Sequence, residues 1–306
     1  MIASASPNQS AARLGLATLL AGATGIGFAP ILVRWSEVGP SATAFHRLLL
    51  ALPWLWLWVG LERWRRPEAP QPSSAKGFLL LMGAGLFFAG DLAVWHWSLQ
   101  FTSVANSTLL TNFAPLFVTL GAWLLLREEI TGVVVVGMAT ALAGATLLVQ
   151  GGLSFSTRRL WGDALALITA VLYAGYLLLV KRLRCSFSTA TIMAWSGVVS
   201  CPALLLIAAL SGERMLPATP NGWWVLAALA VVSHVGGQAL IACGLGYLPA
   251  SFSSVSLLWQ PVVATAAAWV IFKERMDGWQ GFGAGVVLLG IAIASRQRQV
   301  SLRPRR

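Results

Sequence analysis

The segment NFAPLFVTLGAWLLLREE, residues 112–129, is almost entirely apolar, but it opens on an asparagine, contains Pro115 and ends in charged residues. A second segment, WQPVVATAAAWVIFKER at residues 259–275, repeats this pattern. With the apolar residues around them, both are long enough to cross the hydrocarbon core of a membrane, which takes about 20 residues of helix. Their similarity predicts that the chain contains the same structural unit twice.

The composition places the whole chain in a membrane. Hydrophobic residues make up 57% of its 306 residues, charged residues only 10%, and the mean hydropathy is +0.75. A water-soluble fold has too little interior to bury that much apolar surface. We predict an all-α integral membrane protein with ten transmembrane helices, which start near residues 13, 41, 77, 103, 130, 160, 188, 221, 249 and 278.

The basic residues fall unevenly on the two sides of this arrangement. Of the Lys and Arg residues outside the spans, 14 lie on the side of the N-terminus and 6 on the other side. Because positive residues are retained in the cytoplasm, we predict that both chain ends are cytoplasmic, in a multi-pass protein of the inner (cytoplasmic) membrane. The net charge of +11 then faces anionic lipid, and no nucleic-acid partner is expected.

Motifs for bound groups or for chemistry are not found in the sequence. The three cysteines, Cys185, Cys201 and Cys243, show neither a CxxC pair nor a metal-binding spacing. There is no HExxH motif and no nucleophile beside a positioned base. We therefore expect no disulfide, no metal, no cofactor and no enzymatic activity, with an intramembrane enzyme as a distant alternative.

A shift of 146 residues superimposes the two halves of the chain. Ten positions between residues 102 and 149 then become identical, and they pair Pro115 with Pro261 and Glu128 with Glu274. The repeated unit holds five helices. Because five is an odd number, the second copy must cross the membrane in the opposite direction.

The sequence therefore predicts an inverted repeat of five plus five helices, in residues 1–150 and 151–306. Inverted repeats are typical of carriers with alternating access, in which one central site opens in turn to each side of the membrane. A transporter is thus favoured, although symmetry alone excludes neither a channel nor an intramembrane enzyme.

The paired segments also resemble a known family. Residues 103–149 combine a helix start rich in small residues, a mid-helix proline, a closing glutamate and a glycine-spaced helix, and residues 250–295 repeat the combination. The stretch SATAFHRLLLA, residues 41–51, adds an arginine to the second span. These features are similar to the EamA-type repeat of the drug/metabolite transporter superfamily and, within it, to YddG-type exporters of aromatic amino acids.

The resemblance implies ten helices, cytoplasmic termini and a central cavity. It also implies that the fifth and tenth helices stand outside this cavity, as a scaffold or a dimer contact, so we expect a monomer or a weak homodimer. Small residues on these two helices favour their close packing. They are Gly132, Gly137, Gly144, Gly281, Gly285 and Gly290.

Polar residues on the fourth and ninth spans are candidates for the cavity lining. Thr108, Asn112 and Pro115 follow one another at helical spacing, and Gln260 adjoins Pro261. Each proline removes a backbone hydrogen bond and so marks a hinge or kink, whose freed carbonyl needs another partner. The alternative is that these polar groups bond neighbouring helices. The same two stripes include Thr119, Ser253 and Ser256.

Asp91 is the only carboxylate that falls near the middle of a predicted span. A charged group is costly there, which makes Asp91 a candidate for substrate binding or for proton coupling. Phe87 and Trp95 lie four residues before and after Asp91 and share its helical face. The competing role of Asp91 is structural, as the fixed partner of Arg47, His46 or His234.

Other spans supply further candidates for substrate binding. Arg47 is a candidate to hold a carboxylate, to pair with Asp91 or to extend toward the outer membrane surface. Glu128 and Glu274 end their helices among basic residues, so we expect interfacial anchors or gate contacts there. The remaining candidates are Tyr173, Tyr176, His234, Gln238 and Trp259.

The candidate residues limit the substrate. A carrier of phosphorylated compounds would place several basic residues at mid-membrane depth, and only Arg47 is a candidate there. Amide, hydroxyl and aromatic side chains with one carboxylate suit a neutral or zwitterionic, partly apolar small molecule. We predict an exporter of amino acids or similar metabolites, with a multidrug exporter or a proton-coupled importer as alternatives.

Overall fold

The computed structural model describes residues 9–102, 104–148, 157–272 and 278–296, and all regular structure among them is helical. Within these residues, nine helices are long and apolar enough to span a membrane, and a tenth is apolar and 17 residues long. They are α1 (Ser10–Arg34), α2 (Pro40–Arg65), α3 (Ala75–Phe101), α4 (Ser107–Leu126), α5 (Gly132–Leu148), α6 (Leu160–Leu183), α7 (Thr189–Leu210), α8 (Pro220–Leu245), α9 (Ala250–Ile271) and α10 (Gly278–Ser295). The prediction of ten membrane helices is confirmed.

The repeated halves also break their helices at matching places. Helix α4 is interrupted at residues 112–113 and α9 at residues 257–258, in each case shortly before the paired prolines, Pro115 and Pro261. The missing proline N–H explains why a break forms here. Movement about these breaks stays a prediction. Helix α8 has a different irregularity, a π-helical stretch over Leu229–Gln238.

Helix packing follows the symmetry of the repeat. Helices α3 and α4 pack on α6, and their counterparts α8 and α9 pack in the same way on α1. The pairs α2–α7, α4–α9 and α5–α10 meet their own counterparts. Odd-numbered helices begin at one face of the bundle, which we call the N-terminal face, and even-numbered helices begin at the opposite face. The inverted repeat is thus visible in the contacts as well as in the sequence.

Helices α5 and α10 are held together through glycines. A Cβ atom on Gly137 would lie 2.7 Å from the carbonyl oxygen of Gly290, and one on Gly144 would lie 2.7 Å from that of Gly283. No side chain fits at such distances, so the two backbones touch directly. The close packing of this pair is confirmed at Gly137, Gly144 and Gly290.

The same expectation was wrong at three other glycines. A Cβ atom on Gly132, Gly281 or Gly285 would meet nothing within 4 Å. Gly283, which lies against Gly144, makes the contact with α5 that was expected of Gly281 and Gly285. Which glycines meet depends on how the two helices are aligned along and around their axes. This alignment cannot be read from the sequence of either helix alone.

Glutamates tie neighbouring helices together at the opposite face. The Glu213 carboxylate accepts a hydrogen bond of 2.9 Å from the backbone N–H of Ala42, at the start of α2. Glu37 accepts bonds from the backbone N–H groups of Ala218 and Thr219, at the start of α8. Bonds from the Thr219 side chain and backbone lower the pKa of Glu37, which keeps it ionised and bonded. These glutamates satisfy N–H groups that have no acceptor within their own helix.

The glycine contact between α5 and α10 gives a test of the fold. The change Gly144→Val should force α5 and α10 apart and lower the free energy of unfolding by about 1–3 kcal/mol, because the new side chain meets backbone atoms. Thermal unfolding of the purified protein in detergent would measure this. Gly285→Val is the matched control and should cost about 0.5 kcal/mol or less, since it faces open space. Equal losses of stability in the two variants would contradict the direct backbone contact between α5 and α10.

Candidate functional site

A cavity lies among seven helices near the centre of the bundle. Its empty volume is about 750 Å³, the solvent at its mouth included. Its lining residues come from α1, α2, α3, α4, α6, α8 and α9. Within the described part of the chain, α5 and α10 contribute none of them, in agreement with a scaffold position.

The residues that line the cavity lie in the half of the bundle toward the face opposite the N-terminal face. Thr108 and Asn112, near the start of α4, lie on its wall and are half-buried. Residues 251–256 hold the corresponding place in α9, near the N-terminal face, and all of them are buried. The bundle therefore has an open half toward the opposite face and a packed half toward the N-terminal face.

Nine of the residues selected from the sequence lie on this wall. The structure brings them together from six helices, although they are spread over more than 200 positions of the chain. They are Arg47, Asp91, Trp95, Thr108, Asn112, Tyr173, Gln238, Gln260 and Pro261.

Two of the other candidates lie just behind the wall. Tyr176 is buried, and its ring packs against those of Phe88 and Tyr173, at centroid distances of 4.7 and 6.3 Å. His234 is also buried, with its ring 5.4 Å from that of Phe88. In this conformation both residues support the wall rather than form it.

The last two candidates point elsewhere. The indole N–H of Trp259 donates a bond of 2.9 Å to the Thr24 hydroxyl, which fixes the ring against α1. Pro115 is buried at the start of the second segment of α4, away from the cavity lining.

The serines of the proposed α9 stripe also do not reach the cavity. Ser253 and Ser256 donate to carbonyl oxygens of their own helix, those of Pro249 and Phe252. The Thr119 hydroxyl lies 3.6 Å from the sulfur of Met138 on α5. For these residues, the alternative of local or interhelical bonding describes the observed conformation.

Arg47 and Asp91 are the electrostatic feature of the cavity. Both line it, and their side chains are only 3% and 7% exposed. No salt bridge within 4 Å joins them, and the Arg47 guanidinium donates a long hydrogen bond of 3.4 Å to the Ser233 carbonyl oxygen. The Arg47 Nε has no hydrogen-bond partner among the described residues. A guanidinium group and a carboxyl group thus share one wall without a direct ion pair.

Amide and hydroxyl groups surround Arg47 and Asp91. The side-chain amide nitrogen of Asn112 has no hydrogen-bond partner among the described residues, whereas the amides of Gln238 and Gln260 lie next to the Tyr173 hydroxyl and interact with it. A buried N–H group without an acceptor is costly, and native proteins leave few of them. The wall is therefore suited to a ligand that brings acceptor oxygens.

The rest of the lining is apolar. Phe88 and Leu92 of α3, Ile26 and Pro30 of α1, and Ala264 of α9 contribute carbon surface. Together with Trp95, they give the cavity an apolar part beside its charged part. Among the described residues, no three His, Cys, Asp or Glu side chains converge as a metal site would require.

Sequence reasoning missed part of this lining. It selected Phe87, but Phe87 packs on Gly175 of α6, and Phe88 faces the cavity instead. The spacing of Phe88, Asp91 and Trp95 fits one helical face as well as the chosen spacing did. Residues 26–30 of α1 were also missed, although the sequence GFAP at residues 27–30 is a signal for a broken helix.

Comparison with known proteins agrees with this architecture. The model of the EamA-like transporter family matches residues 13–150 and again residues 160–296. A probable terminal-alkyne amino-acid exporter of Streptantibioticus cattleyicolor is 27% identical, over 91% of this chain and 93% of its own. A riboflavin transporter of Vibrio cholerae is 26% identical over 67% of each chain. One protein of known crystal structure shares the fold, with a TM-score of 0.76 at 18% identity over 96% of this chain and 99% of its own.

Thiol labelling would test which end of the cavity is open. In a cysteine-free background, Thr108→Cys should react with a membrane-impermeant maleimide, because this position is half-buried on the cavity wall. Its repeat counterpart, Ser254→Cys, is the matched control and should react at least about tenfold more slowly, since Ser254 is 1% exposed. Equal rates, or a faster reaction at position 254, would contradict a cavity closed at the N-terminal face.

Proposed function

The chain belongs to the EamA-like transporter family, and from that premise we propose that it is an alternating-access exporter of small zwitterionic metabolites, most simply amino acids. Family membership establishes a multi-pass membrane protein that transports small molecules. The substrate class, the direction and the mechanism are the proposal. We assign no catalytic reaction to the protein.

The observation that carries the proposal is the placement of Arg47 and Asp91. Both side chains are buried on one cavity wall, and no salt bridge within 4 Å joins them. Buried charges without a close partner are unfavourable. A ligand with a carboxylate and an ammonium group compensates both, with its carboxylate toward Arg47 and its ammonium group toward Asp91. A simple anion or cation would leave one of them uncompensated.

The remaining lining supports the same ligand. The unpartnered amide N–H of Asn112, with the amides of Gln238 and Gln260 on the same wall, provides further donors for carboxylate oxygens. Phe88 and Trp95 provide carbon surface for an apolar side chain. The relative named as an amino-acid exporter supports this class, and the relative named for riboflavin favours including larger aromatic compounds in any test.

The mechanism follows from the inverted repeat. Each half can adopt the arrangement of the other, so that the open and packed halves of the bundle change places while the central site is kept. With the N-terminal face in the cytoplasm, as the basic residues favour, the described conformation is open to the outside. It would then be the substrate-releasing state of an exporter in the inner membrane. We further propose a monomer or weak homodimer, with proton coupling as a possible energy source.

Counterflow in proteoliposomes tests the function. Vesicles that contain the purified protein would be loaded with a mixture of neutral amino acids, and labelled phenylalanine or threonine would be added outside. We expect accumulation well above that of protein-free liposomes, because exchange needs only a reversible carrier. If no amino acid exchanges while riboflavin or a hydrophobic drug does, the substrate proposal is overturned and the transporter assignment remains.

Variants of the two charges test the binding mode. We expect Arg47→Gln and Asp91→Asn each to lower the affinity for exchanged amino acid by about 10- to 100-fold, because each leaves one ligand charge uncompensated. Concentration dependence of counterflow would measure this. Arg65→Gln, an exposed residue at the end of α2, is the matched control and should leave the affinity unchanged.

Asp91→Asn has a second outcome of interest. If the variant keeps exchange at full affinity and loses only transport driven by a pH gradient, Asp91 is a proton site. The ammonium role given to it above would then be wrong. Counterflow with and without a pH gradient separates the two roles.

A further inference from the structure

Glu128 makes a contact between the two repeats that substrate binding does not use. It follows the end of α4, and one carboxylate oxygen accepts a hydrogen bond of 2.7 Å from the backbone N–H of Ala250. The other accepts bonds of 3.2 and 3.0 Å from the backbone N–H and the hydroxyl of Ser251. Both oxygens are thus committed to the start of α9, whose N–H groups have no acceptor in their own helix.

The backbone before Glu128 is shaped for this contact. Arg127 has a φ of +54°, the only positive φ at a non-glycine residue in the described part of the chain. This left-handed residue ends α4, and the N–H of Glu128 then turns back to bond the Ala122 carbonyl oxygen at 3.0 Å. Such a conformation is unfavourable outside glycine and is kept only where the surroundings require it. Here its result is a Glu128 side chain that points across to the other repeat.

The contact lies at the packed end of the transport path. Ala250 and Ser251 begin the buried stretch of α9 that closes the bundle toward the N-terminal face. Lys181 of α6 donates hydrogen bonds to the carbonyl oxygens of Leu245 and Leu248, in the turn between α8 and α9. These two bonds stay within the second repeat. The Glu128 bonds join α4 of one repeat to α9 of the other, so they must break if these helices separate at this face.

Another contact between the repeats has a different character. Helices α2 and α7 are bonded at both faces: Glu62 accepts from the Ser188 hydroxyl at the N-terminal face, and Glu213 accepts from the Ala42 N–H at the opposite face. A pair that is tied at both ends does not favour one open side over the other. It is suited to act as the fixed axis about which the other helices move.

We infer that Glu128 is a positioning residue for transport, which holds the N-terminal face closed by capping the start of α9. This inference rests on the alternating-access mechanism proposed above. It requires that loss of the cap increases the population that is open at the N-terminal face. The site for substrate is left intact, because Glu128 does not line the central cavity.

Labelling of the two repeat-related positions measures this population directly. In a cysteine-free background, Glu128→Gln should raise the labelling rate of Ser254→Cys by about tenfold or more and lower that of Thr108→Cys. Ser251→Ala removes only one of the three bonds and should give a smaller shift in the same direction. Glu62→Gln is the matched control, with the same change at the same face, and should shift neither rate.

Unfolding must be separated from opening. Each variant would therefore be compared by thermal unfolding, and a raised rate at position 254 supports the inference only if the rate at position 108 falls. If Glu128→Gln fails to fold, the Ser251→Ala variant decides. Unchanged labelling rates in the folded Glu128 and Ser251 variants, or an equal shift in Glu62→Gln, would overturn the inference that Glu128 holds this face closed. These rates need no substrate, so a failed amino-acid counterflow would not affect this result.

Discussion

The odd number of helices in each repeat is the constraint on which the rest of the structure depends. Five spans invert the second copy, so that each helix has a counterpart that crosses the bundle in the opposite direction. Thr108 and Ser254 occupy the same place in the two copies, yet Thr108 lines an open cavity and Ser254 is 1% exposed. This asymmetry between equivalent positions is what alternating access requires, because one half must be open while its counterpart is closed.

Arg47 and Asp91 form the polar part of the cavity, to which the proposed function assigns the binding of a zwitterion. In a bilayer, Arg47 and Asp91 are expensive to bury, and their separation leaves each without a close counter-charge. A zwitterion is the smallest ligand that compensates both. Glu128 bonds the start of α9 at the packed end and does not line the central cavity. In the proposed mechanism, binding and closure are therefore assigned to different residues.

Sequence predicted the parts of this structure that depend on local composition and on repetition. Ten helices follow from apolar length, and the inverted repeat follows from the pairing of Pro115 with Pro261. Rotation of a helix about its axis is set by its neighbours, so the choice between Phe87 and Phe88 was missed, and Trp259 faces Thr24 instead of the cavity. Glu128 was expected to be an interfacial anchor or a gate contact, but its partners lie more than 120 positions away and no local pattern names them. Its counterpart Glu274 lies outside the described residues.

Equilibrium binding tests the central claim most directly. The affinity of the purified protein for phenylalanine would be compared by calorimetry with that for phenethylamine, which lacks the carboxylate, and 3-phenylpropionate, which lacks the amine. If Arg47 binds the carboxylate and Asp91 the ammonium group, phenethylamine and 3-phenylpropionate should each bind at least about tenfold more weakly than phenylalanine. Equal affinity for phenylalanine and either half-ligand would contradict it.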